Sequence, residues 1–230
     1  MKILVTSQCK YLESQKRLNR NIFVTLLVVG IISAIILGVL NQPLLIVLPL
    51  VTVLASLFFL RRYHFWRAGI EGEQKVVVAL MPLDDSYFLI NDIKLPSKRG
   101  NIDHILLSPK GIFVLETKNY SGMVRCYGDT WYVGPGSFAK PIGSVSKQAK
   151  RNAYELSSFL ERTIGLKIYV NPICVFVNPS LELAIFEPAV PILRVMELSG
   201  FLEQFEASIA LPEELIHSVA QSILEIALQN

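Results

Sequence analysis

Residues 101–119 read Asn-Ile-Asp-His-Ile-Leu-Leu-Ser-Pro-Lys-Gly-Ile-Phe-Val-Leu-Glu-Thr-Lys-Asn, and the fold turns on how they are read. Two apolar runs, 101–108 and 112–118, flank the turn-forming stretch Ser-Pro-Lys-Gly at 108–111, which predicts a β-hairpin. Each run carries one carboxylate where the pattern calls for an apolar side chain, Asp103 and Glu116. A buried carboxylate without a partner is costly, so each needs a partner or a purpose. If Ser108 pairs with Gly111 across a two-residue turn, Asp103 falls opposite Glu116 on one face, with Cβ atoms about 5 Å apart. Lys118 shares that face by strand alternation. A three-residue loop with a glycine bulge would instead set Thr117 opposite Asp103 and turn Glu116 away. Both registers remain open at this point.

Further elements follow on either side. Ile70 to Leu80 has helical spacing, with Ile70, Val77 and Leu80 on one stripe and Glu73 on the same stripe. Residues 87–95, 122–126 and 131–133 read as strands, the last two joined by a Gly-Asp turn at 128–129. Residues 144–164 form an amphipathic helix through Val145, Ala149, Ala153, Leu156 and Leu160, ended by Gly165. Strands at 168–177 and 190–195 precede helices at 198–205 and 212–228. This order predicts a mixed α/β domain, a central sheet flanked by helices.

The N-terminal part is of another kind. The chain has 230 residues, 52% hydrophobic and only 18% charged, with mean hydropathy +0.45, too apolar for a soluble domain alone. Ile22 to Leu40 is a run of 19 residues without a charge, about 28 Å as a helix, one hydrocarbon core. Asn41, Gln42 and Pro43 interrupt it, and Leu44 to Leu60 is a second uncharged run. The pair predicts a transmembrane helical hairpin, 22–40 and 44–60. A cleaved signal peptide has a single, shorter apolar region. Gly30, Ala34 and Gly38 make a small-residue stripe for close helix packing, equally consistent with the ordinary composition of membrane helices. Lys2, Lys10, Lys16, Arg17 and Arg20 precede the first run, and Arg61, Arg62 and Arg67 follow the second. The positive-inside rule then places both termini and the soluble part in the cytoplasm, with Tyr63, Phe65 and Trp66 at the interface. The net charge of +3 divides into +7 for residues 1–67 and −4 for the rest, so the basic balance reports topology and not nucleic-acid binding. Cys9, Cys126 and Cys174 form no C-x-x-C pair, and His64, His104 and His217 are scattered, so no zinc site or disulfide framework is expected.

Gly-Ile-Glu-Gly-Glu at 69–73, the two halves of the 101–119 stretch, Gly122, Trp131 and Gln148 together resemble the nuclease-related domain, NERD, of the PD-(D/E)XK restriction-endonuclease-like superfamily. The resemblance covers residues 69–178 and reaches less fully to 206. It implies a restriction-endonuclease-like central mixed sheet flanked by helices, here preceded by the two-helix hairpin. The superfamily's Pro-Asp is Ile102-Asp103, and the Asn-Pro before the later glutamine is Lys140-Pro141. By the resemblance, Asp103 and Glu116 hold Mg²⁺ (or Mn²⁺), Lys118 orients water and stabilises phosphate charge, and Glu73 and Gln148 complete the catalytic set. Lys147, Lys150 and Arg151 beside Gln148, with Lys140, and Lys98 and Arg99 with Lys94 ahead of Asp103, are candidate phosphate contacts. The expected function is Mg²⁺-dependent phosphodiester hydrolysis in nucleic acid, DNA foremost, by a multi-pass protein of the cytoplasmic membrane. The rival is a non-catalytic membrane-tethered module that binds nucleic acid or protein.

The expected layout is a basic segment 1–21, the hairpin 22–60, a juxtamembrane linker 61–68, the nuclease-like domain 69–206 and an amphipathic helix 207–230. The expected partners are nucleic acid, the lipid bilayer and a second copy of the chain through the hairpin.

Overall fold

The computed structural model describes residues 1–5, 10–40, 46–96, 100–207 and 209–229. It divides into two compact units: Cys9–Glu71, and a second assembled from Met1–Gln8 and Gly72–Asn230.

In the first unit, α1 (Lys10–Val39) lies antiparallel to the early part of α2 (Val47–Leu80). A Cβ added at Gly30 would come within 2.7 Å of Thr52 Oγ1, and Arg62 Nε donates to Asn19 Oδ1 at 3.2 Å. Of the small-residue stripe, Gly30 therefore serves the helix contact, while a Cβ at Gly38 meets nothing within 4 Å among the described residues. Leu12–Val39 and Val47–Leu80 have mean hydropathies of 2.9 and 1.2 over their most apolar stretches and are long enough to cross a membrane. Ile31 and Ile35 of the first and Leu50 and Leu54 of the second are exposed, unlike the side chains of a core helix. The stretch 61–68, expected as a linker, is helical and continuous with the rest of α2. No proline interrupts it, and a helix continues where nothing breaks it. The expected break at Asn41, Gln42 and Pro43, with Leu44, lies outside the described residues, as do Cys9, Lys98 and Arg99.

The second unit holds two sheets where a single central one was expected. The larger has six strands in the order β1 (Lys2–Val5), β2 (Phe88–Ile93), β3 (Ile102–Ser108), β4 (Gly111–Lys118), β8 (Val170–Phe176) and β10 (Ile192–Arg194). The smaller runs β7 (Lys140–Ile142), β6 (Thr130–Val133), β5 (Gly122–Tyr127) and β9 (Leu181–Phe186). β1 falls in the expected basic segment 1–21, for which no strand was expected; its β-branched Ile3 and Val5 suit a strand, and it pairs in parallel with β2. β7 is an edge strand, which is where Pro141 can be accommodated.

One face of the large sheet packs against α3 (Val145–Ile164) and α5 (Glu213–Gln229), through Ile105, Ile112, Val114, Leu156, Ile216 and Val219. The C-terminal helix is thus part of this core. The other face packs against Val76 and Leu80 of α2 and Leu198 and Leu202 of α4 (Leu198–Gln204). Helix α3 starts at Ser144, whose side chain accepts from Lys147 N–H, and stops at Gly165 in the left-handed region at φ 76°. The small sheet packs Val124, Cys126 and Trp131 against Val145 and Ala149 of α3 and Phe176 of β8.

Candidate active site

The β3–β4 hairpin pairs Ser108 with Gly111 and continues without a bulge to His104 and Leu115, so the two-residue turn holds. The ladder ends at that pair, and Asp103 and Glu116 are the next residues on the two strands. Thr117 N–H donates to Asp103 Oδ2 at 2.9 Å. Residues 112, 114 and 116 alternate onto the face covered by α3, the same face as Ile105, and Lys118 reaches Glu116 there.

Glu116 is 1% exposed and both of its oxygens accept hydrogen bonds. Lys118 Nζ lies 2.5 Å from Oε1, and Asn152 Nδ2 on α3 donates to Oε2 at 2.9 Å. Burial alone would lower the Lys118 pKa, but the Glu116 and Asp103 charges outweigh it and hold the ammonium above the usual lysine range. Lys118 is therefore a fixed cation at neutral pH. Cys174 sits beside Glu116 in the β4–β8 register, and burial, then the Glu116 charge, pushes its thiol up. That leaves a neutral thiol rather than a nucleophile.

His104 points to the opposite face and is fully buried, with Nδ1 2.8 Å from Asn91 Oδ1. Burial lowers its pKa from 6.5 to about 3, so it is a neutral core group. Glu73 is half-buried on α2, the helix of that opposite layer. Its neighbour Gly72 packs at the end of β4, where an added Cβ would lie 3.4 Å from Asn119 and 3.6 Å from Thr117. Glu73 therefore stands at the same end of the sheet as Lys118. Gln148 is half-buried on α3, one turn before Asn152. Lys147 and Arg151 are exposed one turn apart. Lys150 instead pairs with Asp129 Oδ2 at 2.5 Å, and Asp129 Oδ1 accepts from Ser146, which in turn accepts from Trp131 Nε1. Lys150 and Ser146 hold the Asp129 carboxyl below its ordinary range. Trp131 is buried and stacks on Phe176, so it is core.

Two neighbours of the cluster carry no signal in the sequence pattern. Asn152 follows Arg151 on a helix with polar residues throughout, and only the fold brings it to Glu116. Asp92 lies between Asn91 and Ile93, which pair with His104 and Ile102, so it stands across from Asp103. Its backbone is at φ 55°, a region asparagine and aspartate tolerate better than most residues, and its carboxylate accepts from Asn101 Nδ2. Cavities of about 420 and 500 Å³ are lined by other residues, including Arg125 and Tyr132 in one and Tyr154 and Tyr169 in the other.

The pattern of the nuclease-related domain family matches residues 68–177. Within those residues the chain is similar to NERD domains. Glu73, Asp103, Glu116, Lys118, Gln148 and Asn152 all lie inside the matched part. The general kind of fold for NERD is that of the PD-(D/E)XK superfamily. An uncharacterized protein of Bacillus anthracis is 36% identical to this chain over 123 residues, which cover 47% of the chain and 57% of that protein. No solved structure matches the chain significantly.

Proposed function

We propose that this protein is a membrane-tethered, Mg²⁺-dependent phosphodiesterase acting on nucleic acid, with DNA as the expected substrate. The observation that carries the reading is the convergence of Asp103 and Glu116 on Lys118: Asp103 Oδ2 accepts from Thr117 N–H, Glu116 Oε1 pairs with Lys118 Nζ, and both acid charges act on that ammonium. Two carboxylates beside one lysine leave negative charge in excess, which a divalent cation would offset.

The donor set fits magnesium. It offers the hard carboxylate oxygens of Asp103 and Glu116, although among the described residues no group of three or more His, Cys, Asp or Glu side chains that could hold a metal ion forms. Magnesium takes one or two carboxylates, completed by water and phosphate oxygens. When bound, the ion would lower the pKa of a water and offset charge on the phosphate. Glu116 and Asp103 hold Lys118 protonated before a metal binds, and in the site it would offer hydrogen bonds and positive charge to the phosphate and the attacking water. Thr117 N–H fixes Asp103, and Asn152 fixes Glu116, so neither acid has to be ordered when substrate arrives. Glu73 and Gln148 complete the site as a further carboxylate and a polar contact to water or phosphate. Exposed Lys147 and Arg151 are the phosphate contacts of choice, and Lys150 ranks behind them because Asp129 already holds it. Lys98 and Arg99 keep this proposed role on sequence grounds alone.

The outward-facing apolar helices support a membrane hairpin. The residues before and after it, β1 and the body of the domain, share one sheet. In this reading both ends of the hairpin lie on one side, and the flanking arginines and lysines favour the cytoplasm as that side. The same apolar faces suit packing against a second copy. The alternative, a non-catalytic nucleic-acid- or protein-binding module, draws on one observation: Lys118 and Asn152 already occupy both Glu116 oxygens.

The test uses the full chain in detergent, because residues 2–5 belong to the sheet. Labelled DNA should be cut with Mg²⁺ and remain intact with EDTA. Glu116→Gln and Lys118→Ala should each lower the rate by about a hundredfold or more. Salt-dependent DNA binding without cleavage would favour the non-catalytic module.

A further inference from the structure

We propose that Asn152 is a positioning residue of this site, holding Glu116 through Nδ2 and presenting Oδ1 as acceptor for a water in the hydration shell of the bound cation. The inference rests on the metal-dependent reading above and names a residue that reading did not require.

Asn152 is 1% exposed, set on the second turn of α3 and surrounded by the domain core. Its Nδ2 meets Glu116 Oε2 at 2.9 Å, while its Oδ1 is buried and has no hydrogen-bond partner among the described residues. An ionised carboxylate only accepts hydrogen bonds, so it must be offered the NH₂ group of the amide. That requirement fixes which end of the side chain is left over. A buried amide oxygen without a donor costs about 1–3 kcal/mol, a cost relieved when a donor binds beside it. A water held by a cation is a strong donor, since the cation polarises its O–H bonds.

The leftover oxygen belongs to the same amide that touches Glu116, so it is adjacent to the carboxylate pair. A neutral amide orients such a water without adding charge for Lys118 to balance. A purely structural asparagine would be expected to have both ends satisfied, as buried polar side chains generally do. Holding a ligand in one rotamer through a hydrogen bond from the next layer is worth about 10–100-fold in metal affinity or activity.

The test is calorimetric titration of the full chain in detergent with Mg²⁺ alone, using wild type, Asn152→Ala and Asn152→Asp. Removal of the amide in Asn152→Ala should weaken Mg²⁺ by about tenfold or more, while DNA affinity without metal stays near the wild-type value. Asn152→Asp keeps the shape and adds charge. It should melt at a lower temperature without metal, recover on adding Mg²⁺, and bind Mg²⁺ at least as tightly as wild type. Wild-type Mg²⁺ affinity in Asn152→Ala, or weakened affinity in Asn152→Asp, would overturn the inference and leave the metal site standing. A wild-type chain that takes up no Mg²⁺ would overturn the metal-dependent reading itself, and this inference with it.

Discussion

Thr117 N–H donates to Asp103 Oδ2 at 2.9 Å, and Thr117 sits between Glu116 and Lys118 on β4. One peptide unit thus ties the acid of one strand to the acid and lysine of the next. Asp103, Glu116 and Lys118, the polar side chains that break the apolar pattern, form one cluster at this end of the hairpin.

The Glu116–Lys118 contact should be strongly coupled, because Glu116 is 1% exposed. Lys118→Met leaves a buried carboxylate with its charge uncompensated and should destabilise the domain by about 3 kcal/mol. Glu116→Gln on that background should restore most of the loss. Denaturant unfolding of the two single variants and the double variant measures the coupling directly.

His104 should make the domain sensitive to acid. Its folded pKa is about 3, against about 6.5 when unfolded. Between those values the unfolded chain binds the extra proton, so stability falls as pH drops from 6.5 towards 3, by about 3 kcal/mol on reaching pH 4. His104→Asn retains a donor for Asn91 without titrating in this window. It should flatten the decline, as read from unfolding curves at pH 7, 5.5 and 4.

Gly30→Val should loosen the hairpin, since its Cβ would meet Thr52 Oγ1 at 2.7 Å and Val53 at 3.2 Å. A cost of about 1–3 kcal/mol is expected from overpacking. Gly38→Val, with open space at its Cβ, should be close to neutral. Crosslinking between cysteines placed at Asn19 and Arg62, a bonded pair across the two helices, reports the loss.

Much of the site could be read from residues 101–119, because a hairpin with a tight turn pairs its positions by simple counting. Asp103, Glu116 and Lys118 follow from that count once the two-residue turn is known. Helix α3 was legible through its apolar spacing and its glycine stop. Strand β1 was hidden because Lys2–Val5 is short and stands next to a strongly basic segment. β9 was missed because its outer residues are exposed and nothing in Leu-Glu-Leu-Ala-Ile-Phe shows that it pairs with β5. The second sheet arises from these pairings between distant segments. Asn152 could not be singled out, since its role depends on how α3 is rotated over the sheet. Lys150 had the right charge in the right helix, but Asp129 on the β5–β6 turn captures it.

The most direct test is a crystal of the full chain soaked in Mn²⁺, read by anomalous scattering. The account predicts a peak between Asp103 and Glu116, with Lys118 Nζ moved off Glu116 Oε1. Full Mn²⁺ exposure with no peak there, and the Lys118–Glu116 contact still closed at 2.5 Å, would contradict it.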